Sequence, residues 1–243
     1  MIDIHCHIMP SLDDGPSTME ESINMARIAI EDGISVVVAT PHNRDLGGKN
    51  LSRELPNRVN EFNRILESAS IPLKVLYGME NHIEMDIITQ LNSLEALPIE
   101  GTRFMLLELP FEFFPVYTNE IIADLFAGGI TPIIVHPERN ASIRSDIGLL
   151  RDMVNKGCIA QVSSGSISGI HGSLVRDCAR DFILQNLVHV LSTDAHSDRG
   201  NRTPKLSYAE KLVADIIGSD VAYKMVKDIP LAIINDVISA INV

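Results

Sequence analysis

Short apolar runs alternate along the chain with longer stretches in which apolar residues return every three or four positions, the pattern of strands alternating with helices. The first run, Ile2-Asp3-Ile4-His5-Cys6-His7, is apolar at every second position. A strand there is expected to put Ile2, Ile4 and Cys6 on one face and Asp3, His5 and His7 on the other. Asp13-Asp14-Gly15 reads as a turn. Ser17 followed by Glu20 has capping-box spacing and predicts a helix with Ile23, Ala26 and Ile30 on one face, ended by Gly33. Ile34–Ala39 is almost continuously apolar, as in a strand covered on both sides.

This unit recurs. Helices are expected at Pro56–Ser68, Met85–Asn92, Asn119–Phe126, Ile147–Lys156 and Leu174–Gln185. Strands are expected at Leu73–Tyr77, Phe104–Leu107, Ile133–Val135, Ile159–Val162 and Val188–Ser192. From Ser207 to Ile241 the pattern is helical, with breaks at Gly218 and Pro230. No linker or low-complexity stretch divides the chain, so residues 1–243 are expected to form a single domain of the α/β class with a parallel sheet. Polar residues with ligand chemistry follow most strand ends, and such ends converge around one axis in a closed barrel, which favours a TIM-like (β/α) barrel over an open sheet.

Composition narrows the function. The net charge of −12 argues against nucleic acid as a partner. No apolar run is long enough to span a bilayer, and the N-terminus has no basic start followed by an apolar segment, so the chain reads as cytoplasmic. Cys6, Cys158 and Cys178 form no CxxC pattern, and none has an arginine six residues on, so a thiol-based phosphatase loop is absent.

The strand ends carry the chemistry. They supply His5 and His7, with Asp14 in the following loop, then His42, Glu80, Glu108, His136, and Asp194 with His196. Five of the eight histidines thus follow strands, and His82, His171 and His189 are assigned surface or core roles. Imidazole mixed with carboxylate suits Zn, Mn or Fe, and the absence of thiolates disfavours a structural zinc site. Nine ligands exceed the needs of one ion, which points to a cluster of two or three with a carboxylate such as Glu80 bridging. Asp3 either orients His5 or His7 or makes a buried structural hydrogen bond. Gln161, Ser163 and Ser164 end another strand and are poor metal ligands. Arg139 and Arg202 stand near ligands and suit a bidentate grip on phosphate, with Arg199 competing for the second position. Phe111, Phe113, Phe114 and Tyr117 form an aromatic loop that either walls a substrate ring or packs on itself.

Asp3-x-His5-x-His7, Thr40-Pro41-His42, Glu80, Glu108, His136 and Asp194-x-His196 resemble the motifs of the PHP (polymerase and histidinol phosphatase) superfamily. Asp13-Asp14-Gly15-Pro16, Gly129-Ile130-Thr131-Pro132, His136-Pro137-Glu138-Arg139 and Leu187-Val188-His189-Val190 resemble its protein-tyrosine phosphatases encoded with bacterial capsule and exopolysaccharide genes. The resemblance implies a distorted (β/α)7 barrel holding three ions, with Mn2+ the usual metal and Fe, Zn or Mg as substitutes. It implies that His5, His7, Glu80 and Asp194 hold one ion, Glu80, Glu108 and His136 a second, and Asp14, His42 and His196 a third. Arg139 and Arg202 would bind phosphate. The implied substrate is the phosphotyrosine of a partner bacterial tyrosine kinase, hydrolysed by a metal-bridging hydroxide. A small-molecule phosphomonoesterase, for example one acting on histidinol phosphate, is the alternative.

Overall fold

In the computed structural model, which describes residues 1–46 and 49–237, helices and parallel strands alternate from the first strand onward. The first half runs β1 (Ile2–Cys6), α1 (Met19–Glu31), β2 (Val36–Ala39), α2 (Lys49–Ser68), β3 (Lys74–Tyr77), β4 (Glu80–His82), α3 (Ile87–Ser93) and β5 (Phe104–Glu108). It continues through α4 (Thr118–Ala127), β6 (Thr131–Val135), α5 (Ala141–Ser145), α6 (Gly148–Asn155), β7 (Ile159–Ser163), α7 (Ser164–Ile167), α8 (Ser173–Leu184) and β8 (Val190–Ser192). Three helices end the described chain: α9 (Ser207–Ile217), α10 (Ser219–Val226) and α11 (Asp228–Ile234).

All strand pairs are parallel, in the orders β1-β2-β3 and β4-β5-β6-β7-β8. Only Gly78 and Met79 separate β3 from β4, so the two segments are one strand position bent from the first sheet into the second. Single parallel bridges join the sheets, His42 to Glu80 and Cys6 to Ala195. The result is a barrel of seven strand positions. Its interior is one apolar cluster that includes Ile2, Val38, Leu76, Leu106, Ile133, Ile159 and Val190, one from each position. Ala232 and Ile233 of α11 join that cluster at the N-terminal ends of the strands and close that end. Helices cover the outside through two further clusters.

Strict alternation fails in β1. Asp3 pairs with Val37 and Cys6 with Ala39, so three steps on β1 match two on β2, a bulge of one residue. Ile2 and Ile4 pack inside the barrel while Cys6 packs outside among the α1 and α2 contacts. The extra residue is what lets Ile4 and His5 both face inward.

Several boundaries shift for identifiable reasons. The S/T-x-x-E spacing occurs twice, one residue apart. The second is used: Thr18 and Glu21 form the reciprocal capping box rather than Ser17 and Glu20, with Glu21 also taking the Ser17 N–H, and the buried face is Met25, Ala26 and Ala29, with Ile23 and Ile30 only partly buried. α2 starts seven residues before Pro56, which lies inside it. Pro230 does not break the chain. It occupies the first turn of α11, where a missing N–H has no helical acceptor, and the break falls at Lys227. β8 begins at Val190 because His189 pairs with Ala160 partly through its ring: its backbone N–H donates to Ala160 O at 3.0 Å while its Nδ1 accepts from the Ala160 N–H at 3.1 Å. The expected helix over 238–241 lies outside the described residues.

Candidate active site

The C-terminal ends of the strands surround a cavity of about 250 Å³. Asp14, His42, Glu80, Glu108, His136, Asp194 and His196 line it directly, and the Nε2 atoms of His5 and His7 meet 3.3 Å apart in its floor. All nine side chains expected as ligands therefore come together. Glu80 is the hub. Its Oε2 lies 3.2 Å from both His5 Nε2 and His7 Nε2 and 3.0 Å from His42 Nδ1, and its Oε1 is 2.7 Å from His136 Nε2. Asp194 Oδ1 is 3.7 Å from the Nε2 of each of His5 and His7. His136 Nε2 is 3.8 Å from Glu108 Oε1. Asp14 Oδ1 is 3.1 Å from His196 Nε2 and 3.6 Å from His42 Nε2.

Local backbone aims these groups. His136 and Asp194 both adopt positive φ, 34° and 54°, strained for residues with side chains. His136 follows β6 and opens a short turn with Pro137 at its first position. Gly15 is required by space: a Cβ there would sit 2.5 Å from the His7 carbonyl oxygen and 2.9 Å from Asp13 Oδ1.

Three imidazoles are held in one tautomer by their partners. His5 Nδ1 donates to Gln161 Oε1 at 2.9 Å, His7 Nδ1 to Asp13 Oδ2 at 2.6 Å, and His196 Nδ1 to the Asp194 carbonyl at 3.0 Å. Each Nε2 then carries its lone pair into the cavity, the arrangement of histidines that ligate metal. The donor set fits divalent cations for a second reason. Glu80 Oε2 is buried and completes no well-formed hydrogen bond, although three ring nitrogens crowd within 3.2 Å of it. Lone pairs from several rings converging on one carboxylate oxygen are mutually repulsive unless a cation lies among them. Among the described residues, three groups have ligand atoms mutually within 4.8 Å: His7, Asp14, His42 and His196; His5, His7 and Glu80; and His42, Glu80 and Glu108.

Electrostatics follow this geometry. Burial opposes charge on His5 and His7, yet the Glu80 carboxylate raises the pKa of His5, and Asp13, then Glu80, raises that of His7. Burial likewise opposes ionisation of Glu80, but the surrounding histidines hold its pKa well below the usual carboxylate range. Asp14 is also held low, chiefly by the His196 ring beside it. His196 runs the other way: burial and the neighbouring His7 ring, stacked at 3.7 Å, lower its pKa.

The arginines resolve clearly. Arg139 Nη1 is 3.0 Å and Arg202 Nη2 3.3 Å from Asp194, on its two oxygens, and both line the cavity. Arg199 points away to pair with Glu21 and Asp198 and is 79% exposed. Asp3 takes the structural alternative, accepting from the Thr193 backbone and hydroxyl and from the His5 N–H. Burial raises its pKa to about 6.

Three groups at the site escaped sequence reasoning. Asp13, read there only as part of a turn, accepts from His7, from the His42 N–H at 3.1 Å and from the Gly15 N–H at 3.0 Å. Gln161 is no ligand but fixes His5. His82, assigned a surface or core role, lines the cavity with Nδ1 2.5 Å from Glu108 Oε2. The Glu80-x-His82 spacing, which puts both on one side of a strand, was the available signal for it.

The family model for capsular polysaccharide synthesis proteins CpsB/CapC matches residues 1–235. The chain belongs to the CpsB/CapC family. Its relative YwqE of Bacillus subtilis, a tyrosine-protein phosphatase, is 35% identical over 240 residues, 98% of this chain and 93% of that protein. A solved structure from the pair YwqE of Bacillus subtilis and CpsB of Streptococcus pneumoniae, described as unique metal-dependent tyrosine phosphatases, superposes with a TM-score of 0.92. It covers 97% of this chain and 95% of that one at 34% identity. The phosphotriesterase homology protein of Escherichia coli, at 11% identity and a TM-score of 0.61, shares the barrel alone. Among CpsB/CapC proteins, then, this chain has the distorted TIM-like barrel expected of it.

Proposed function

We propose that this CpsB/CapC protein is a cytoplasmic, metal-dependent protein-tyrosine phosphatase formed by one domain, whose substrate is the phosphotyrosine of a tyrosine kinase controlling capsule or exopolysaccharide synthesis. The observation that carries this reading is the meeting of nine histidine and carboxylate side chains with two arginines in one cavity. The names of YwqE and CpsB, both tyrosine phosphatases, support the same class of reaction. That no described helix is long and apolar enough to cross a membrane agrees with a site working in water.

His5, His7, Glu80 and Asp194 would hold one ion, Glu80, Glu108 and His136 a second, and Asp14, His42 and His196 a third. Mn2+ is the ion proposed, with Fe, Zn and Mg to be tried beside it. Such cations supply Lewis acidity toward water and toward phosphoryl oxygens. Arg139 and Arg202 take up two equatorial oxygens of the phosphoryl group and neutralise the charge that builds there. Asp194 holds both guanidinium groups in place beforehand. Water adds to phosphorus in line, the bond to the aryl oxygen breaks, and the products are inorganic phosphate and the tyrosine phenol. No cysteine takes part.

The test is turnover of a phosphotyrosine peptide and of histidinol phosphate after chelation and readdition of each metal. Activity on the peptide that vanishes on chelation, returns with metal, and is lost in Glu80→Ala and His136→Ala proteins with unchanged circular dichroism is the expected result. Near-normal turnover in either variant, or a clear preference for histidinol phosphate, overturns the assignment.

A further inference from the structure

Among the described residues lining the cavity, one is apolar: Phe111. All the others are charged or imidazole side chains. Phe111 lies in the loop between β5 and α4, and its side chain stays 40% exposed, unusual for a ring of this size. The loop's other aromatic residues divide. Phe114 and Tyr117 pack onto the outer core beside α4, whereas Phe113 is exposed and does not reach the cavity.

The position of Phe111 is tightly specified. The Arg139 guanidinium covers one face of the ring, its Cζ 4.2 Å from the centroid, and the His136 ring lies 5.7 Å away. The backbone is tied to the same turn that carries Arg139. The Asn140 side-chain amide donates to Pro110 O at 2.5 Å and to Phe113 O at 2.9 Å, and the Ala141 N–H donates to Phe111 O at 2.6 Å. Phe111 and Arg139 therefore move together, one apolar and one cationic, on the same wall.

We propose that Phe111 is the specificity-determining residue of the site: the uncovered part of its ring is the surface against which the aromatic group of the substrate lies. The inference rests on the phosphatase reading and adds to it a reason for choosing aryl over alkyl phosphates. A phosphoryl group gripped by Arg139 lies beside the Phe111 ring, and the phenyl group of an aryl ester begins one oxygen away. Aromatic pairs prefer offset or edge-to-face contacts, which a phenyl ester can make here. A short alkyl ester offers little more than a methylene at that point. Contact with the leaving group exists in both the bound substrate and the transition state, so it acts on KM rather than on kcat.

Binding of phenylphosphonate and of methylphosphonate to the Mn2+-loaded protein, measured by calorimetry without turnover, tests the idea. Phe111→Ala is expected to weaken phenylphosphonate about tenfold, which corresponds to one aromatic contact and its burial, while methylphosphonate changes less than about twofold. Phe111→Tyr is expected to restore the difference, and Phe111→Leu, which keeps apolar bulk over Arg139, to fall between. With a phosphotyrosine peptide, Phe111→Ala is expected to raise KM with kcat nearly unchanged. If both phosphonates weaken equally, the ring acts only by steadying Arg139 and the inference fails. It fails too if neither changes, or if neither binds the unaltered protein. If the unaltered protein cleaves no phosphotyrosine but still discriminates the phosphonates through Phe111, the phosphatase reading falls and the aromatic subsite stands.

Discussion

Asp13 grips His7 from behind, its Oδ2 2.6 Å from the Nδ1 that faces away from the cavity. The same carboxylate also receives the His42 and Gly15 backbone N–H groups, so it fixes one proposed ligand side chain and the start of two loops that carry others. Partners of this kind set the tautomer and basicity of a ligating imidazole, and losing one costs about 10–100-fold in metal affinity or activity. Asp13→Ala is expected to raise the Mn2+ concentration for half-maximal activity by that factor while kcat at saturating metal recovers in part. Asp13→Asn keeps one acceptor and should fall between. A metal titration unchanged in Asp13→Ala would remove this residue from the site.

Metal should also appear as stability. A ligand present at a hundred times its dissociation constant adds about 2.7 kcal/mol to the folded state. For a chain of 243 residues this corresponds to a rise in Tm of about 5–10 °C. Calorimetric scans in EDTA and with excess Mn2+ measure it. Coincident scans would leave the nine side chains as an ion-paired cluster without a resident ion.

The thiols are expected to be inert. Cys6 is fully buried, and burial first, then nearby carboxylates, pushes its pKa well up; burial pushes Cys158 and Cys178 up to about 12. None offers a thiolate at neutral pH. Replacing all three with Ala should leave kcat/KM on a phosphotyrosine substrate within about twofold, with any loss confined to Tm. Loss of turnover in a variant that keeps its circular dichroism would demand a thiol mechanism.

His189 makes stability depend on acid. Burial lowers its pKa to about 4 from the ordinary 6.5, and its Nδ1 accepts the Ala160 N–H, a bond that only the neutral ring can make. Between those two values the unfolded chain binds a proton that the folded chain does not. Stability from this group is therefore complete above about pH 6.5 and is lost as the pH falls toward 4, by about 3 kcal/mol. His189→Asn, which can still accept from Ala160 but does not titrate, should flatten that part of the curve. Urea unfolding of both proteins between pH 4 and 7 reads the difference, and parallel curves would refute it.

The barrel was legible because β-strands and helices here differ sharply in period, and because histidines and carboxylates of ligand type sit at strand ends where topology must gather them. His42, Glu80 and His136 could be placed from strand order alone. What stayed hidden depended on three-dimensional neighbours. The β1 bulge leaves no mark in Ile2–Cys6, since one unpaired residue changes which face a side chain takes without changing composition. The bend at Gly78 and Met79 stayed hidden because the expected strand stops at Tyr77 and Glu80–His82 has too few residues to show a period of its own. Asp13 was indistinguishable from a turn residue because an Asp two before a Gly, as in Asp13-Asp14-Gly15, serves turns and hydrogen-bond networks alike. Arg199 and Arg202 are three residues apart in an irregular segment, where no periodicity says which one turns inward.

The two sheets meet along two seams, and the lines between them are thin. On one, His7 N–H donates to Ala195 O and Asp194 N–H to His5 O; on the other, Glu80 N–H donates to Pro41 O at 3.2 Å. His5, His7 and His42 hang from one side of these seams, and Glu80, Glu108, His136, Asp194 and His196 from the other. Cations gripped by both groups would work as rivets, so that filling the pocket and locking the cylinder shut become a single event. A cell short of metal would then hold a protein that breathes first at its own active centre.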